Sequence, residues 1–300
     1  MHTPRLVGFP GQEAYLESVC AQVHEQNGRA HEAGLITSPE YSMKKLLGAG
    51  MDKIYDLGPC FRDGEPWDGT HDLEFLLLEW YRRDAGLEEL MNDTEAMIRY
   101  VAGQDDRFGT EPFRRLSVSE SLKIYANVEL EPLLEDREAL SKVVREHGQT
   151  VQPDDSWDDL FFKLFLSEVE PKLGWSDNKK RHRPTFLYNY PACMAALARR
   201  DPKDPRFALR TELYIGDLEL ANGFAELCDP VEQRVRFIEE QKLRKKLGKK
   251  VWPLDEHFLM SLPGMGNAAG IAFGVDRLVM LLTGITSISE LMPVPIRERF

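Results

Sequence analysis

Three stretches of the chain carry side chains whose types and spacing could support chemistry. The first, Phe61 to Arg82, reads FRDGEPWDGTHDLEFLLLEWYR: a cation, a loop rich in Gly and Asp, and an apolar return segment with aromatic and acidic residues. This pattern predicts a β-hairpin that could contact a phosphate, a flat ring and an ammonium group, and hence bind ATP and an amino acid together. Its candidate residues are Arg62, Glu65, His71, Phe75, Glu79 and Tyr81.

The second stretch, RTELYIGDLELANGFAEL from Arg210 to Leu227, places acidic residues in apolar surroundings. Residues two apart share a face of a strand, so Glu212 and Glu219 reach one side only if a turn intervenes. Gly216-Asp217 can supply that turn. Carboxylates in an apolar segment need a metal ion or a cation as a partner. The candidates for such a site are Glu212, Glu219, Asn222 and Glu226.

The third stretch is GIAFGVDRLVMLLTG, from Gly270 to Gly284. Arg277 lies at the start of a predicted helix, where the helix dipole is unfavourable for a cation. An anion such as a nucleotide phosphate would hold Arg277 there, and a structural ion pair with Asp276 or a distant glutamate is the alternative. Taken singly, Arg62 could instead form a surface ion pair, and Phe75 could instead be a residue of the hydrophobic core.

Hydrophobic periodicity and cap residues indicate the elements that must position these side chains. Strands are expected over Lys53–Phe61 and Pro184–Tyr190, and a strand running into a helix over Leu35–Leu47. Leu213–Glu226 is expected to be a strand and a turn, followed by a second strand or the start of a helix. Helices are expected over Leu87–Val101, Ser117–Ala126, Asp136–Gly148, Ser156–Val169, Pro230–Lys246 and Val275–Leu282, and a loop over Gly28–Gly34. The mixture predicts an α+β fold with antiparallel strands and a mostly helical insertion over about residues 103–183.

Length, charge and cysteine content limit the classes of protein. Three hundred residues suit one large domain or a domain with an insertion. A net charge of −12 argues against generic nucleic-acid binding, and no apolar run approaches the ~18–20 residues of a membrane span. The chain lacks a signal-peptide pattern and paired cysteine spacings, so we expect it in the cytoplasm. Two basic runs, Asn178–Arg183 and Lys242–Lys250, are either solvated surface or a docking patch for an acidic partner.

The motifs resemble those of class II aminoacyl-tRNA synthetases. FRDGE…HDLEFLLLEWYR resembles motif 2, GIAFGVDRLVMLL resembles motif 3, and TSPEYSMKKLL and ELANGFAEL are similar to segments of lysyl-tRNA synthetases. The resemblance runs from about Thr3 to the C-terminus and is strongest to the shorter ligases of this family, which attach (R)-β-lysine to elongation factor P. It implies a single class II catalytic domain with an antiparallel sheet flanked by helices, ATP and Mg²⁺ as cofactors, and a homodimer.

The resemblance also implies roles for individual residues. Arg62 would contact the α-phosphate and the attacking carboxylate, and with Arg277 it would be catalytic. Glu65 would accept a hydrogen bond from the adenine amino group, and His71 would lie near the phosphates. Phe75 and Arg277 would enclose adenine. Glu212 and Glu219 would hold Mg²⁺, and Glu219 would also lie beside ATP. Glu40 would bind the substrate's amino group, and the distal ammonium group would be bound by Glu79, Tyr81, Asn222 and Glu226.

The chain departs from the family pattern at several positions. The family's HNPEF is HDLEF here, with Asp72 and Leu73, and the preceding loop is one residue longer around Trp67-Asp68. An extra Asp near phosphates is unfavourable unless Mg²⁺ or Arg is close. Ala272 stands where lysyl-tRNA synthetases usually have glycine, and the ligases resemble this chain in carrying alanine, so Ala272 is expected to shape the amino-acid pocket.

Of motif 1, which normally builds the dimer interface, we expect only the closing Thr3-Pro4, and we expect no anticodon-binding domain before it; either the reading frame was started late or the protein does without the motif 1 helix. We therefore expect exposed apolar surface on the sheet, and the homodimer is in doubt. The leading hypothesis is a ligase that activates lysine or β-lysine and transfers it to elongation factor P. The alternatives are an amino-acid activator that acts on tRNA or another acceptor, and a non-catalytic synthetase paralogue.

Overall fold

The computed structural model of the protein describes residues 2–103, 106–176 and 181–300. The strands, in chain order, are β1 (Leu6–Val7), β2 (Cys20–His24), β3 (Ala30–Leu35), β4 (Lys53–Phe61), β5 (Glu74–Arg83), β6 (Arg114–Ser117), β7 (Thr185–Pro191), β8 (Phe207–Ile215), β9 (Leu218–Ala225) and β10 (Ala268–Gly274). The helices are α1 (Glu40–Gly48), α2 (Leu87–Ala102), α3 (Val118–Ala126), α4 (Arg137–Glu146), α5 (Trp157–Leu164), α6 (Pro230–Lys246), α7 (Glu256–Ser261), α8 (Val275–Thr283) and α9 (Ile296–Arg299). Within these described ranges, no helix has the length and apolar character that a membrane crossing requires.

The described chain divides into two compact units, Met1–Gly86 with Ala225–Phe300, and Leu87–Phe224. In the first unit β5 lies between β4 and β10 and is antiparallel to both. The pairing of β4 with β5 ends at Phe61 opposite Glu74, which confirms the hairpin predicted from the sequence.

The two faces of β4 differ in exposure. Residues at even positions are buried, whereas Tyr55 and Leu57 on the other face are 61% and 52% exposed. Leu76 of β5 is also exposed. The sheet of the first unit therefore has an exposed apolar face, as expected from the sequence.

A small sheet with the order β1-β3-β2 also belongs to the first unit. The prediction of a loop over Gly28–Gly34 is wrong, because β3 occupies Ala30–Leu35 and pairs along both edges. Helix α6 spans the predicted Pro230–Lys246, and the Asp229 side chain accepts hydrogen bonds from the first backbone N–H groups. An acceptor at this position satisfies donors that lack a partner within the helix.

In the second unit β7 lies between β6 and β8, and β9 pairs with β8. The β6–β7 pair is parallel, which corrects the expectation of antiparallel strands alone. Helices α2 to α5 follow the predicted ranges, and Ser117 and Ser156 form capping boxes at α3 and α5. These helices bury an apolar cluster that includes Leu122, Leu140 and Phe161. The extent of a helical insertion over about residues 103–183 remains a prediction, and β6 adds one strand to it.

Candidate active site

Arg62 follows β4 where the hairpin closes. Its backbone N–H donates to the Leu73 carbonyl at 3.0 Å, and its guanidinium carbon lies 5.0 Å from the centroid of the Phe75 ring. This is a cation–π contact. Phe75 itself packs against a buried cluster formed by Ile36, Cys60 and Leu77. The ring therefore holds the Arg62 charge at the entry of the hairpin, and the enclosure of adenine by Phe75 and Arg277 remains a prediction.

The hairpin loop brings His71, Glu65 and Arg277 together. His71 Nε2 lies 3.2 Å from Arg277 Nη2 and 3.9 Å from a Glu65 carboxylate oxygen. Its Nδ1 lies 3.2 Å from Asp68 Oδ1 and 3.0 Å from the Thr70 hydroxyl. Partial burial raises the pKa of Asp68, but hydrogen bonds from Thr70 and His71 outweigh that effect and lower it to about 2. Asp68 thus stays ionised and orients the imidazole, with Nδ1 donating and Nε2 accepting from Arg277.

Asp72, the departure from the family pattern, has a fully buried side chain that forms an ion pair with Arg299 of α9. Arg299 also lies 3.6 Å from Glu74, and the Glu74 backbone N–H donates to Asp72 at 3.1 Å. An arginine from the C-terminal segment therefore supplies the cation that a buried aspartate requires. The loop has a second tie to that part of the chain, because the Ile288 N–H donates to the Gly69 carbonyl at 2.7 Å.

A cluster of three buried carboxylates lies in the same unit, contributed by α1, β5 and the segment after Ala225. Glu40 and Glu226 both form ion pairs with Lys44, whose Nζ lies 2.5 Å from Glu226 Oε2. On β5, the Tyr81 hydroxyl donates to Glu79 Oε1 at 2.5 Å. All five residues are at least nine-tenths buried. Four of them had been predicted as amino-acid contacts, and the fifth, Lys44, had not.

The charges in this cluster shift each other's ionisation. Burial, followed by the charge of Glu40, raises the pKa of Glu79 to about 8. Burial opposes the charge of Lys44, but Glu226 and Glu40 outweigh it and raise the Lys44 pKa above its usual value. At neutral pH the cluster therefore contains one ammonium group and a Glu79 that is predominantly protonated.

The small residues of β10 make room for this cluster. A Cβ on Gly270 would lie 2.1 Å from the Tyr81 ring and 2.9 Å from Glu226 Oε1, so any side chain there would displace both groups. Ala272 lies directly opposite Glu79 in the strand pairing. Directly opposed residues share a face of the sheet. Ala272 therefore lies beside Glu79, and its role in shaping the amino-acid pocket remains a prediction.

In the second unit, Glu212 of β8 is almost completely buried and accepts hydrogen bonds from two phenols and an arginine. The hydroxyls of Tyr190 and Tyr214 donate to Oε2, the latter at 2.6 Å, and Arg210 Nη2 lies 2.5 Å from Oε1. Burial and then the charge of Glu212 raise the pKa of both tyrosines. Both phenols therefore remain protonated donors at neutral pH.

The side chains of Glu219 and Asn222 on β9 lie on the same face of the sheet as Glu212 on β8. Asn222 pairs with Glu212 and Glu219 pairs with Tyr214, with a bulge between the two pairs. Asn222 Oδ1 also accepts from Arg210 Nε at 3.2 Å. The turn at Gly216-Asp217 is present, but the bulge is what gives residues 219 and 222 the same face.

Two carboxylates on one face suit Mg²⁺, which is commonly bound by one or two carboxylates together with substrate phosphates. Arg210 would have to release Glu212 for such binding, since it contacts one oxygen of this carboxylate. Among residues 2–103, 106–176 and 181–300, no group of three or more His, Cys, Asp or Glu is arranged to hold a metal ion. Mg²⁺ binding by Glu212 and Glu219 therefore remains a prediction.

The structure bears differently on the two basic runs that were considered as docking surfaces. Residues 178–180 of Asn178–Arg183 lie outside the described residues. In Lys242–Lys250, Arg244 is buried and donates to the carbonyls of Glu13 and Leu16, both at 2.8 Å, so it belongs to the interior. Lys242, Lys245 and Lys246 are exposed, and only these remain candidates for docking.

Sequence reasoning missed Lys44 and Arg210. Lys44 is four residues after Glu40, the spacing of side chains that meet on a helix. Arg210 is two residues before Glu212, the spacing of side chains on one face of a strand. Both signals were present in the sequence. They carry weight only once Glu40 and Glu212 are known to be buried.

Comparison with known proteins gives a consistent assignment. The family model "tRNA synthetases class II (D, K and N)" matches residues 1–298. The chain is 39% identical over 294 residues to the elongation factor P–(R)-β-lysine ligase of Haemophilus ducreyi, covering 97% of this chain and 85% of that protein. It is 38% identical over 265 residues to the ligase of the same name from Proteus mirabilis, covering 87% and 77%. The chain therefore belongs to the class II tRNA synthetase family (D, K and N).

Proposed function

We propose that the protein is an ATP-dependent ligase that activates lysine or (R)-β-lysine as an aminoacyl-adenylate and transfers it to a lysine side chain of elongation factor P. Its similarity to elongation factor P–(R)-β-lysine ligases supports elongation factor P as the acceptor. The observation that carries the substrate class is the cluster of Glu40, Glu79 and Glu226, because buried carboxylates without matching cations are costly. Lys44 offsets only one of these charges, so an amino acid without a side-chain cation would leave charge in the cluster unpaired, and such a site discriminates on the order of thousands-fold or more.

Both steps of the reaction require positioning more than proton transfer by the protein. A carboxylate oxygen of the amino acid attacks the α-phosphorus of ATP, and the bond to pyrophosphate breaks. The ε-amine of the acceptor lysine then attacks the acyl carbon, and AMP leaves. A fixed cation beside the α-phosphate stabilises the charge that develops there. Arg62 has this role, and its stacking on Phe75 holds the guanidinium in place.

The remaining assignments are those that the resemblance to class II synthetases implies. Arg277 and Phe75 enclose adenine, Glu65 accepts from its amino group, and His71, which contacts Arg277, lies near the phosphates. For the amino acid, Glu40 binds the amino group next to the carboxylate. Glu79, Tyr81 and Glu226 bind the distal ammonium group, a role that the resemblance also implies for Asn222, and Ala272 shapes the pocket.

Glu212 and Glu219 are the residues that would hold Mg²⁺, and Glu219 would also lie beside ATP. When bound, the ion neutralises phosphate charge as pyrophosphate leaves. Arg210 would exchange its contact with Glu212 for one with the incoming phosphates. We place the reaction in the cytoplasm, where elongation factors act, and the homodimer of the family remains an expectation.

The test is ATP–pyrophosphate exchange with lysine and with (R)-β-lysine, followed by mass spectrometry of elongation factor P incubated with enzyme, ATP and the preferred amino acid. We expect exchange with at least one of the two and a mass increase of one aminoacyl group on one lysine. Exchange with acylation of tRNA but not of elongation factor P would favour an amino-acid activator of another acceptor. Absence of exchange with either amino acid would favour a non-catalytic paralogue.

A further inference from the structure

Lys44 is an internal ammonium group inside the proposed amino-acid pocket. Helix α1 places it one turn after Glu40, and its side chain is 1% exposed. Its Nζ contacts carboxylates from two parts of the chain, Glu40 on the same helix and Glu226, at 2.5 Å, from the segment that follows β9. The Glu226 backbone N–H donates to the Ala268 carbonyl at 2.9 Å, which fixes that segment against β10. Lys44 is therefore held in the carboxylate cluster by an ion pair with α1 and by one with the segment that follows β9.

The formal charges around Lys44 give a simple balance. Glu40, Glu79 and Glu226 contribute three negative charges when ionised, and Lys44 contributes one positive charge. Two negative charges then remain to be balanced in a buried volume. Lysine and β-lysine each bring two ammonium groups, whereas a monoamino acid brings one. A buried charge is tolerated only when it is paired, so the remainder matches a diamino acid.

We propose that Lys44 is a positioning residue that sets the charge of the amino-acid pocket, so that its three carboxylates together accept two ammonium groups of a diamino acid. This inference rests on the proposed function. Lys44 acts through Glu40 and Glu226 and needs no contact with the substrate. The ionisation of the cluster is consistent with it, because Glu79, the carboxylate that Lys44 does not contact directly, is the one whose pKa is raised to about 8.

A purely structural ion pair is the competing explanation, and a charge-dependent readout separates the two. The titratable groups that face the cluster are Glu13, Tyr41 and Cys60, in addition to its own Glu40, Glu79, Tyr81 and Glu226. Removing a cation within ion-pair distance raises the pKa of neighbouring carboxylates by about 1–3 units. Since the substrate ammonium groups need ionised carboxylates, loss of the Lys44 charge should move the acidic limb of activity to higher pH.

The experiment measures kcat and KM for lysine or β-lysine in pyrophosphate exchange across pH, in the full-length protein. Lys44→Gln keeps N–H donors toward Glu40 and Glu226 but loses the charge, and Lys44→Arg keeps the charge. Lys45→Met is the matched control, because Lys45 is the next residue of α1 and pairs with Asp255 outside the cluster. We expect Lys44→Gln to raise the KM for the amino acid at least tenfold at neutral pH, to move the acidic limb of kcat/KM up by about 1–2 pH units, and to leave the KM for ATP unchanged. Lys44→Arg should keep the wild-type limb, as should Lys45→Met.

If the wild-type enzyme is active and folded Lys44→Gln has the same acidic limb and the same KM, the proposed role of Lys44 is wrong but the proposed function stands. An inactive wild-type enzyme would overturn the proposed function itself. If Lys44→Gln does not fold, calorimetric binding of lysine to the wild-type protein in buffers of different ionisation enthalpy counts the protons released. Two ammonium groups need an ionised Glu79, whose pKa is about 8 in the unliganded protein, so binding at neutral pH should release about one proton. Binding without proton release would count against the charge balance.

Discussion

The raised pKa of Glu79 predicts an unusual pH dependence of stability in the unliganded protein. Its rise from 4.5 to about 8 corresponds to about 5 kcal/mol in favour of the protonated carboxyl in the folded state, since one pKa unit is about 1.4 kcal/mol. Between these two values the folded protein binds a proton that the unfolded chain does not. This contribution to stability is complete below about pH 4.5 and is lost as the pH rises through about 8. Burial and the charge of Glu40 raise the pKa of Glu13 to about 7, which acts in the same direction.

Urea unfolding of wild type and Glu79→Gln from about pH 5 to about pH 8.5 tests this linkage. The glutamine stays neutral and can still accept the Tyr81 hydrogen bond, so its profile should fall less steeply. Glu79→Gln should therefore gain stability relative to wild type as the pH rises, by a few kcal/mol at the upper end. Glu256→Gln is the control, since Glu256 is exposed and its pKa is lowered by Arg234. Parallel profiles for wild type and Glu79→Gln would refute a buried, protonated Glu79.

Three further predictions follow from individual side chains. Glu226→Gln should lose lysine-dependent pyrophosphate exchange while ATP still binds by calorimetry, and unchanged exchange would remove Glu226 from the pocket. Arg299→Ala should lower the free energy of unfolding by about 1–3 kcal/mol, because it leaves the buried Asp72 carboxylate without its cation; adding Asp72→Asn should recover part of this loss, and strict additivity would contradict the pairing. Charge reversal at Lys242 and Lys245 should slow transfer to elongation factor P without changing pyrophosphate exchange, and equal loss of both activities would exclude a docking role.

The fold was predictable where local signals agreed with tertiary packing. Helix α6 was predicted with the correct bounds because Asp229 caps it, Pro230 begins it and its charged residues favour helix throughout. Strand β3 was missed because AHEAGL contains no β-branched or aromatic residue. Pairing with β1 on one edge and β2 on the other decides its conformation. Such pairing is not visible within a local window of sequence.

The candidate site was predictable in its residue types but not in its internal pairings. Motif resemblance identified Glu40 and Glu226, but lysine is usually a surface residue, so Lys44 gave no local sign that it is buried between them. The role of Asp72 was equally hidden, since its partner Arg299 is 227 positions away. The sequence contains Lys44 and Arg299 but does not indicate which carboxylates they pair with. Only the three-dimensional fold defines which charge neutralises which.

The bulge in β9 has a consequence for how this stretch tolerates change over evolution. Leu220 is the extra residue between the pairs Leu213–Ala221 and Tyr214–Glu219. Glu219 and Asn222 are three residues apart, a spacing that would put them on opposite faces of a regular strand, and the bulge restores a common face. Deleting Leu220 would leave them two residues apart, so a regular strand would then keep both side chains on one face without a bulge. We therefore expect that active relatives with one residue fewer between Glu219 and Asn222 have a regular strand there.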